Sequence, residues 1–155
     1  MAHAFPARGG MVYAVYGTNI AEMAASLLEA AGVGGAIPRG ARIALKPNLV
    51  VARPAAEGAT THPEAVDGVI RHLRDHGHRD IEILEGSWIG DDTGRAFAAC
   101  GMNEVGKRHG VTLFDLKKDA SVVQVCRRAL DADFLINLPV LKGHCQTRMT
   151  CALKN

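Results

Sequence analysis

The sequence predicts an α/β domain: a mostly parallel sheet with helices on both faces. Three observations carry this reading. Short apolar runs alternate with segments of helical periodicity, helix starts and stops are marked by caps and glycines, and several apolar runs empty into polar residues. The 155 residues, 48% of them hydrophobic, are enough for one domain with a core of its own. Eighteen basic residues against sixteen acidic ones give a formal charge of +2, too balanced to argue for a nucleic-acid stripe or a polybasic membrane patch.

In chain order, residues 11–16 are an apolar strand candidate, and Asn19 with Glu22 reads as a capping box. Ile20, Met23, Ala24, Leu27, Leu28 and Ala31 then recur at helical spacing up to Gly32. Gly34 with Gly35, and residues 38–40, predict a turn. Residues 41–45 predict a buried strand running into Lys46, Pro47 and Asn48. After a loop over residues 51–60, Thr61 and Glu64 repeat the capping pattern ahead of Val66, Val69, Ile70 and Leu73, and Gly77 ends that helix. Residues 81–84 are a strand emptying into Glu85, Gly86 and Ser87, followed by a loop rich in glycine and aspartate. Helices over 93–100 and 103–109, strands over 111–116 and 134–138, and a weaker strand over 122–126 complete the alternation expected of a Rossmann-like fold. Met149, Ala152 and Leu153 at helical spacing predict a last helix that Asn155 interrupts, and with it an incomplete domain truncated at the C-terminus. Residues 1–10 are expected to be a disordered tail, and residues 11–155 a single domain.

In an open parallel sheet, ligands bind beyond the carboxyl ends of the strands, where loops converge and helix N-termini present free N–H groups. The polar junctions fall there. Lys46 and Asn48 follow one strand, Thr60, Thr61 and His62 precede a helix, Glu85 and Ser87 follow another strand, and Lys142, His144 and Thr147 follow the last. Such a set suits a small anionic ligand: lysines supply charge, hydroxyls and helix amides supply directed donors, His62 or His144 can move a proton, and Glu85 can serve as base or metal ligand. Residue by residue, Thr61 also reads as an N-cap, Asn48 as a turn former and Glu85 as a solvated strand end. His72 and His76 stand four apart on one helix with His78 just beyond, a spacing a metal can bridge, although a solvated His-rich helix end needs no metal and no fourth ligand is evident.

GxGxxG, GxxxxGK[ST], GxSxG and HExxH do not occur, which disfavours the common nucleotide and hydrolase families. Cys100, Cys126, Cys145 and Cys151 lack zinc-ribbon and ferredoxin spacing and are expected as reduced thiols. Residues 1–10 lack the apolar core of a secretory signal and no run approaches the ~20 apolar residues of a membrane span, so a cytoplasmic protein is expected.

Five blocks in order carry a resemblance: Lys46-Pro47-Asn48-Leu49-Val50; residues 58–63, GATTHP; Glu85-Gly86-Ser87; residues 136–144, INLPVLKGH; and residues 149–155, MTCALKN. Together they resemble the DUF362 family from about residue 41 onward. Some members of that family carry ferredoxin-like iron-sulfur modules, which implies redox-associated work, although this chain has no such cysteine run. The ALKN block adds Lys154 and Asn155 to the ligand-binding set. Family members continue past that block, which implies an N-terminal portion here. The arrangement is also loosely similar to the N-terminal half of lactate-racemase-like proteins. The expectation is an enzyme-like, redox-associated domain holding a small anion or a metal cofactor. Its alternative is a noncatalytic assembly module that docks an iron-sulfur protein, another C-terminal partner chain or a second copy of itself.

Overall fold

In the computed structural model, residues 12–118, 127–144 and 148–151 are described. The elements are α1 (Ile20–Ala30), α2 (Val33–Ala36), β1 (Ile43–Pro47), α3 (Pro63–Asp75), β2 (Ile81–Glu85), α4 (Thr93–Ala99), α5 (Met102–His109), β3 (Thr112–Asp115), α6 (Arg127–Asp131), β4 (Phe134–Leu138), β5 (Lys142–His144) and β6 (Arg148–Thr150). Four strands form an all-parallel sheet in the order β3-β2-β1-β4, and β5 pairs antiparallel with β6.

Register explains the core. Ile43 pairs with both Ile81 and Phe134, and Leu45 with Ile83 and Ile136, so strand alternation places these residues on one face. Val66, Val69, Ile70 and Leu73 recur at i, i+3, i+4 and i+7 on α3 and pack against that face, joined by Met102 and Val105 of α5. Ile43, Leu45, Ile70, Leu73 and Ile83 are fully buried. Truncating any one of them to alanine is expected to cost about 2–5 kcal/mol.

α6 covers the opposite face, where Arg128 pairs with Glu82 at 3.2 Å and stacks over the Phe114 ring. This follows from handedness. β1 to β2 to β3 steps outward in one direction, whereas β4 lies on the other side of β1, so a right-handed crossover must return over the other face. The reversal of strand order falls between β1 and β4.

Helix ends follow the local chemistry. Asn19 accepts from the Glu22 N–H at 3.2 Å, as its position predicts. Gly32 takes the left-handed conformation (φ 66°) and its N–H reaches the Glu29 carbonyl, closing α1. Gly68 on α3 has a different role: a Cβ there would lie 2.1 Å from the Ala21 carbonyl oxygen, so α1 and α3 touch backbone to backbone. Asp67 ties α3 to α5, accepting from Arg108 at 2.7 Å and His109 at 2.8 Å.

Several sequence expectations are corrected. Residues 12–16 form no strand: Val12 and Tyr16 are exposed, and the segment pairs with none of the four strands of the sheet. Gly34 and Gly35 lie in the short helix α2 rather than a turn, because Gly34 admits the His76 ring at a distance no Cβ would allow. The cap of α3 is His62, whose Nδ1 accepts from the Glu64 N–H at 3.3 Å; Pro63, suited to a first helical turn, shifts the start past Thr61. Met149 belongs to β6 and not to a helix, since its neighbours pair with β5. The strand expected over 122–126, the tail over 1–10, and the end of the last segment lie outside the described residues. α6, which the sequence reading did not include, is a five-residue helix.

Candidate functional site

The ends of β1 and β2 and the segment just past β3 bring polar side chains to one rim, and β4 adds the Leu138 carbonyl. At the end of β1, Lys46 extends to Glu85 at the end of β2, its Nζ 2.9 Å from Oε1. The Glu85 side chain is 4% exposed, and its other oxygen accepts from the Leu49 N–H at 2.7 Å, while the Gly86 N–H donates to Oε1 at 2.7 Å. A carboxylate this deep stays compatible with folding only because it has a cation and two amide donors.

Thr61 joins the two strands that flank the reversal of strand order. Its Oγ1 accepts from the Asn48 N–H at 2.8 Å and donates to the Leu138 carbonyl at 2.6 Å. The Thr61 N–H in turn donates to the Asn48 carbonyl at 2.9 Å. From β5, Lys142 Nζ reaches Asn48 Oδ1 at 3.0 Å and also donates to the Ala59 carbonyl. Asn48 therefore receives Thr61 on its backbone and Lys142 on its side chain. His144 shares a strand face with Lys142, two residues along β5, and Thr150 of β6 pairs directly opposite Lys142. The Thr150 Oγ1 is buried with no hydrogen-bond partner among the described residues.

The β2 side is built around Ser87. Its hydroxyl donates to the Asp91 carbonyl at 3.0 Å and lies 3.3 Å from Thr93 Oγ1. Lys117, just past β3, donates to Ser87 Oγ at 2.9 Å and to the Trp88 and Asp91 carbonyls at 2.8 and 2.6 Å. Asp91 receives the Ala52 and Asp92 N–H groups, and these hold its carboxyl below the ordinary range. The loops after β1 and β2 are thereby stitched together, with Trp88 N–H donating to the Val50 carbonyl as well.

Of the residues singled out from the sequence, Asn48, Thr61 and Lys142 are joined by hydrogen bonds, Lys46, two residues before Asn48 along the chain, forms an ion pair with Glu85, and Ser87 follows two residues after Glu85. Thr60 points away, its hydroxyl donating to the Arg53 carbonyl. His62 sits half-exposed at the N-terminus of α3, next to Thr61. Thr147, Lys154 and Asn155 lie outside the described residues. Lys117, Asp91, Thr93 and Thr150 complete the rim and were not singled out; the glycine- and aspartate-rich loop marked the region of Asp91 without marking the residue. An open cavity of about 410 Å³ lies elsewhere, lined by Leu113, Phe114, Asp115, Lys118 and Arg128.

The histidines at the end of α3 divide. His78 is buried with its Nε2 donating to the Gly34 carbonyl at 2.9 Å, which makes it a structural residue. His72 and His76 lie together with ring centroids 4.4 Å apart. Burial, followed by the neighbouring His76, pushes the pKa of His72 below the usual imidazole value. Among the described residues, Cys100 is buried with its thiol near the Arg53 carbonyl and Cys151 is exposed; Cys126 and Cys145 lie outside them.

Strand order, crossover sense and the polar rim define a doubly wound α/β domain with its candidate site where the strand order reverses. A protein-family model described as "Domain of unknown function (DUF362)" matches residues 43–155, and the chain belongs to that family. The thylakoid-associated protein sll1697 of Synechocystis sp. (strain ATCC 27184 / PCC 6803 / Kazusa) is 29% identical over 147 residues, covering 90% of this chain and 45% of that protein. The chain thus spans a little under half the length of this curated relative. No solved structure matches it. Among the described residues, no helix is long and apolar enough to cross a membrane.

Proposed function

We propose that the rim between β1 and β4 binds a small anionic ligand, and that this binding serves redox-associated, enzyme-like work of the full-length protein in the cytoplasm. The observation that supports it best is the convergence on Asn48: Lys142 arrives from β5, Thr61 from the start of α3, and Lys46 stands two residues away. Two ammonium groups, the N-terminus of a 13-residue helix and the buried Thr150 hydroxyl give the rim charge and directed donors suited to an anion. In this reading Glu85 holds Lys46 in place, His62 and His144 are the groups positioned to exchange a proton with the ligand, and Ser87 with Lys117 shapes the β2 side.

Calorimetric titration with inorganic phosphate and with small carboxylates tests the reading. Lys142→Ala removes one charge-assisted contact, worth about 1.5–3 kcal/mol, so affinity is expected to fall roughly 10- to 100-fold. Melting temperature is expected to stay close to that of the parent chain. Lys46→Ala is expected to weaken the same ligand but also to destabilise, because buried Glu85 loses its cation. Unchanged affinity in Lys142→Ala sinks the reading. The redox component is tested on the full-length protein, purified anaerobically; a colourless, metal-free product removes it.

A second reading, an assembly module, is favoured by apolar side chains left exposed in the C-terminal part of the chain: Leu135 on the edge strand β4 (48%), Leu141 (72%) and Met149 on β6 (56%). Light scattering separates the readings, since a lone monomer that binds anions speaks against obligatory docking.

A further inference from the structure

We propose that Glu29, His72 and His76 form a binding site for a zinc-class divalent transition-metal ion that clamps α1 to α3. The site stands apart from the rim, since these residues lie in the last turns of α1 and α3, and α3 begins at the rim with His62.

The geometry has three parts. First, the ligand atoms stand at the right separation. Glu29 Oε2 is 3.5 Å from His72 Nδ1 and 3.4 Å from His76 Nε2, and all three atoms lie within 4.8 Å of one another. These gaps exceed the roughly 2.7–3.2 Å of an N–H···O hydrogen bond. The two gaps to Glu29 match the edge of a tetrahedron around zinc, where ligand atoms about 2.0–2.1 Å from the metal stand roughly 3.3 Å apart.

Second, His76 is already set in the ligating tautomer. Its Nδ1 lies 2.9 Å from the His72 carbonyl oxygen, which can only accept, so Nδ1 carries a proton, and in the neutral ring Nε2 is the nitrogen whose lone pair faces Glu29. An imidazole whose far nitrogen donates to a backbone carbonyl is the usual arrangement behind a metal-bound histidine. The ring is further held by Gly34, where a Cβ would come within 2.3 Å of His76 Cγ.

Third, His72 is 4% exposed, its Nε2 has no hydrogen-bond partner among the described residues, and its Nδ1 has only the long approach to Glu29. Buried polar groups normally have a partner of ordinary length. A cation at Nδ1 gives that nitrogen such a partner, though it leaves Nε2, on the far side of the ring, as it is. Two imidazoles four apart on one helix and a carboxylate from a second helix make a donor set suited to zinc, nickel or cobalt and poorly suited to magnesium or calcium. Glu29 and His76 are both exposed, so a water can take the fourth position.

The test titrates chelator-stripped protein with zinc chloride against a chromophoric competitor and follows melting temperature in parallel. One equivalent per chain and a zinc-dependent rise in melting temperature are expected, with no rise on adding magnesium chloride. Glu29→Gln and His76→Ala each change an exposed residue, so both keep His72 and the core. Each is expected to lose more affinity than the roughly 10- to 100-fold that removal of an outer-shell partner costs. Cobalt(II) in place of zinc is expected to give a four-coordinate spectrum without a thiolate charge-transfer band. Zinc uptake that is absent, that survives unchanged in both variants, or that shows thiolate ligation overturns the proposal.

Discussion

Replacing Thr61 by valine removes two hydrogen bonds while leaving the side-chain volume nearly in place. The hydroxyl holds the Asn48 N–H at 2.8 Å and the Leu138 carbonyl at 2.6 Å, so the substitution leaves both groups without that partner where β1 and β4 end. Asn48 is 5% exposed and Thr61 6% exposed, which keeps water from replacing the hydroxyl on the Asn48 side. An unsatisfied buried group costs about 1–3 kcal/mol, and the Leu138 oxygen has a second lone pair that softens its share. Thr61→Val is therefore expected to lose about 2–4 kcal/mol. At a urea dependence of roughly 2 kcal/mol per molar, this lowers the equilibrium midpoint by about 1–2 M with the slope unchanged. Thr61→Ser keeps both bonds and sheds one methyl, for a loss of about 1 kcal/mol. If Thr61→Val unfolds within 0.5 M of the parent chain, or if serine costs as much as valine, the bridge does not hold the strand ends together.

The other expectations concern packing, charge and thiol chemistry. Gly68→Ala gains about 1 kcal/mol of helix propensity, but its Cβ would meet the Ala21 carbonyl at 2.1 Å; overpacking costs about 1–3 kcal/mol, so thermal unfolding is expected to show a net loss. A variant as stable as the parent would mean that α1 parts from α3 without strain. Burial works to raise the pKa of Asp67, yet hydrogen bonds from His109 and Arg108 outweigh it and hold the carboxyl below its ordinary value. The stability this gives is present above the unfolded carboxylate value of about 3.9 and is lost as pH falls through the lower folded value. Asp67→Asn is expected to flatten that acid limb in unfolding measured against pH; an unchanged slope refutes the linkage. Burial raises the pKa of the Cys100 thiol, whereas Cys151 is exposed. Brief alkylation followed by peptide mass spectrometry is expected to modify Cys151 and to reach Cys100 only after denaturation. Equal labelling in the folded chain would contradict this placement.

Much of the frame was legible from periodicity. Val66, Val69, Ile70 and Leu73 announce the buried face of α3, and the apolar runs at 43–45 and 81–84 announce adjacent parallel strands whose polar ends must share a rim. What failed was decided by competition between local signals or by distant partners. Thr61 matched a capping pattern, but Pro63 moved the helix start to His62 and released the hydroxyl for a bridge to a residue 77 positions away. Three apolar residues from Met149 onward are too few to distinguish a helical stripe from a strand, and for Met149, the one of them among the described residues, pairing with β5 chose the strand. Lys117 and Glu29 carry no periodic or motif signal, because their importance comes from the placement of β3 beside β2 and of α1 against α3.

Backbone amide resonances followed by NMR during addition of inorganic phosphate test the shared rim most directly. The amides of Lys46, Asn48, Thr61, Glu64 and Lys142 are expected to shift together and to saturate with one dissociation constant. Shifts confined to the α6 side of the sheet, or separate constants for the β1 and β5 residues, would contradict a single anion site at this edge.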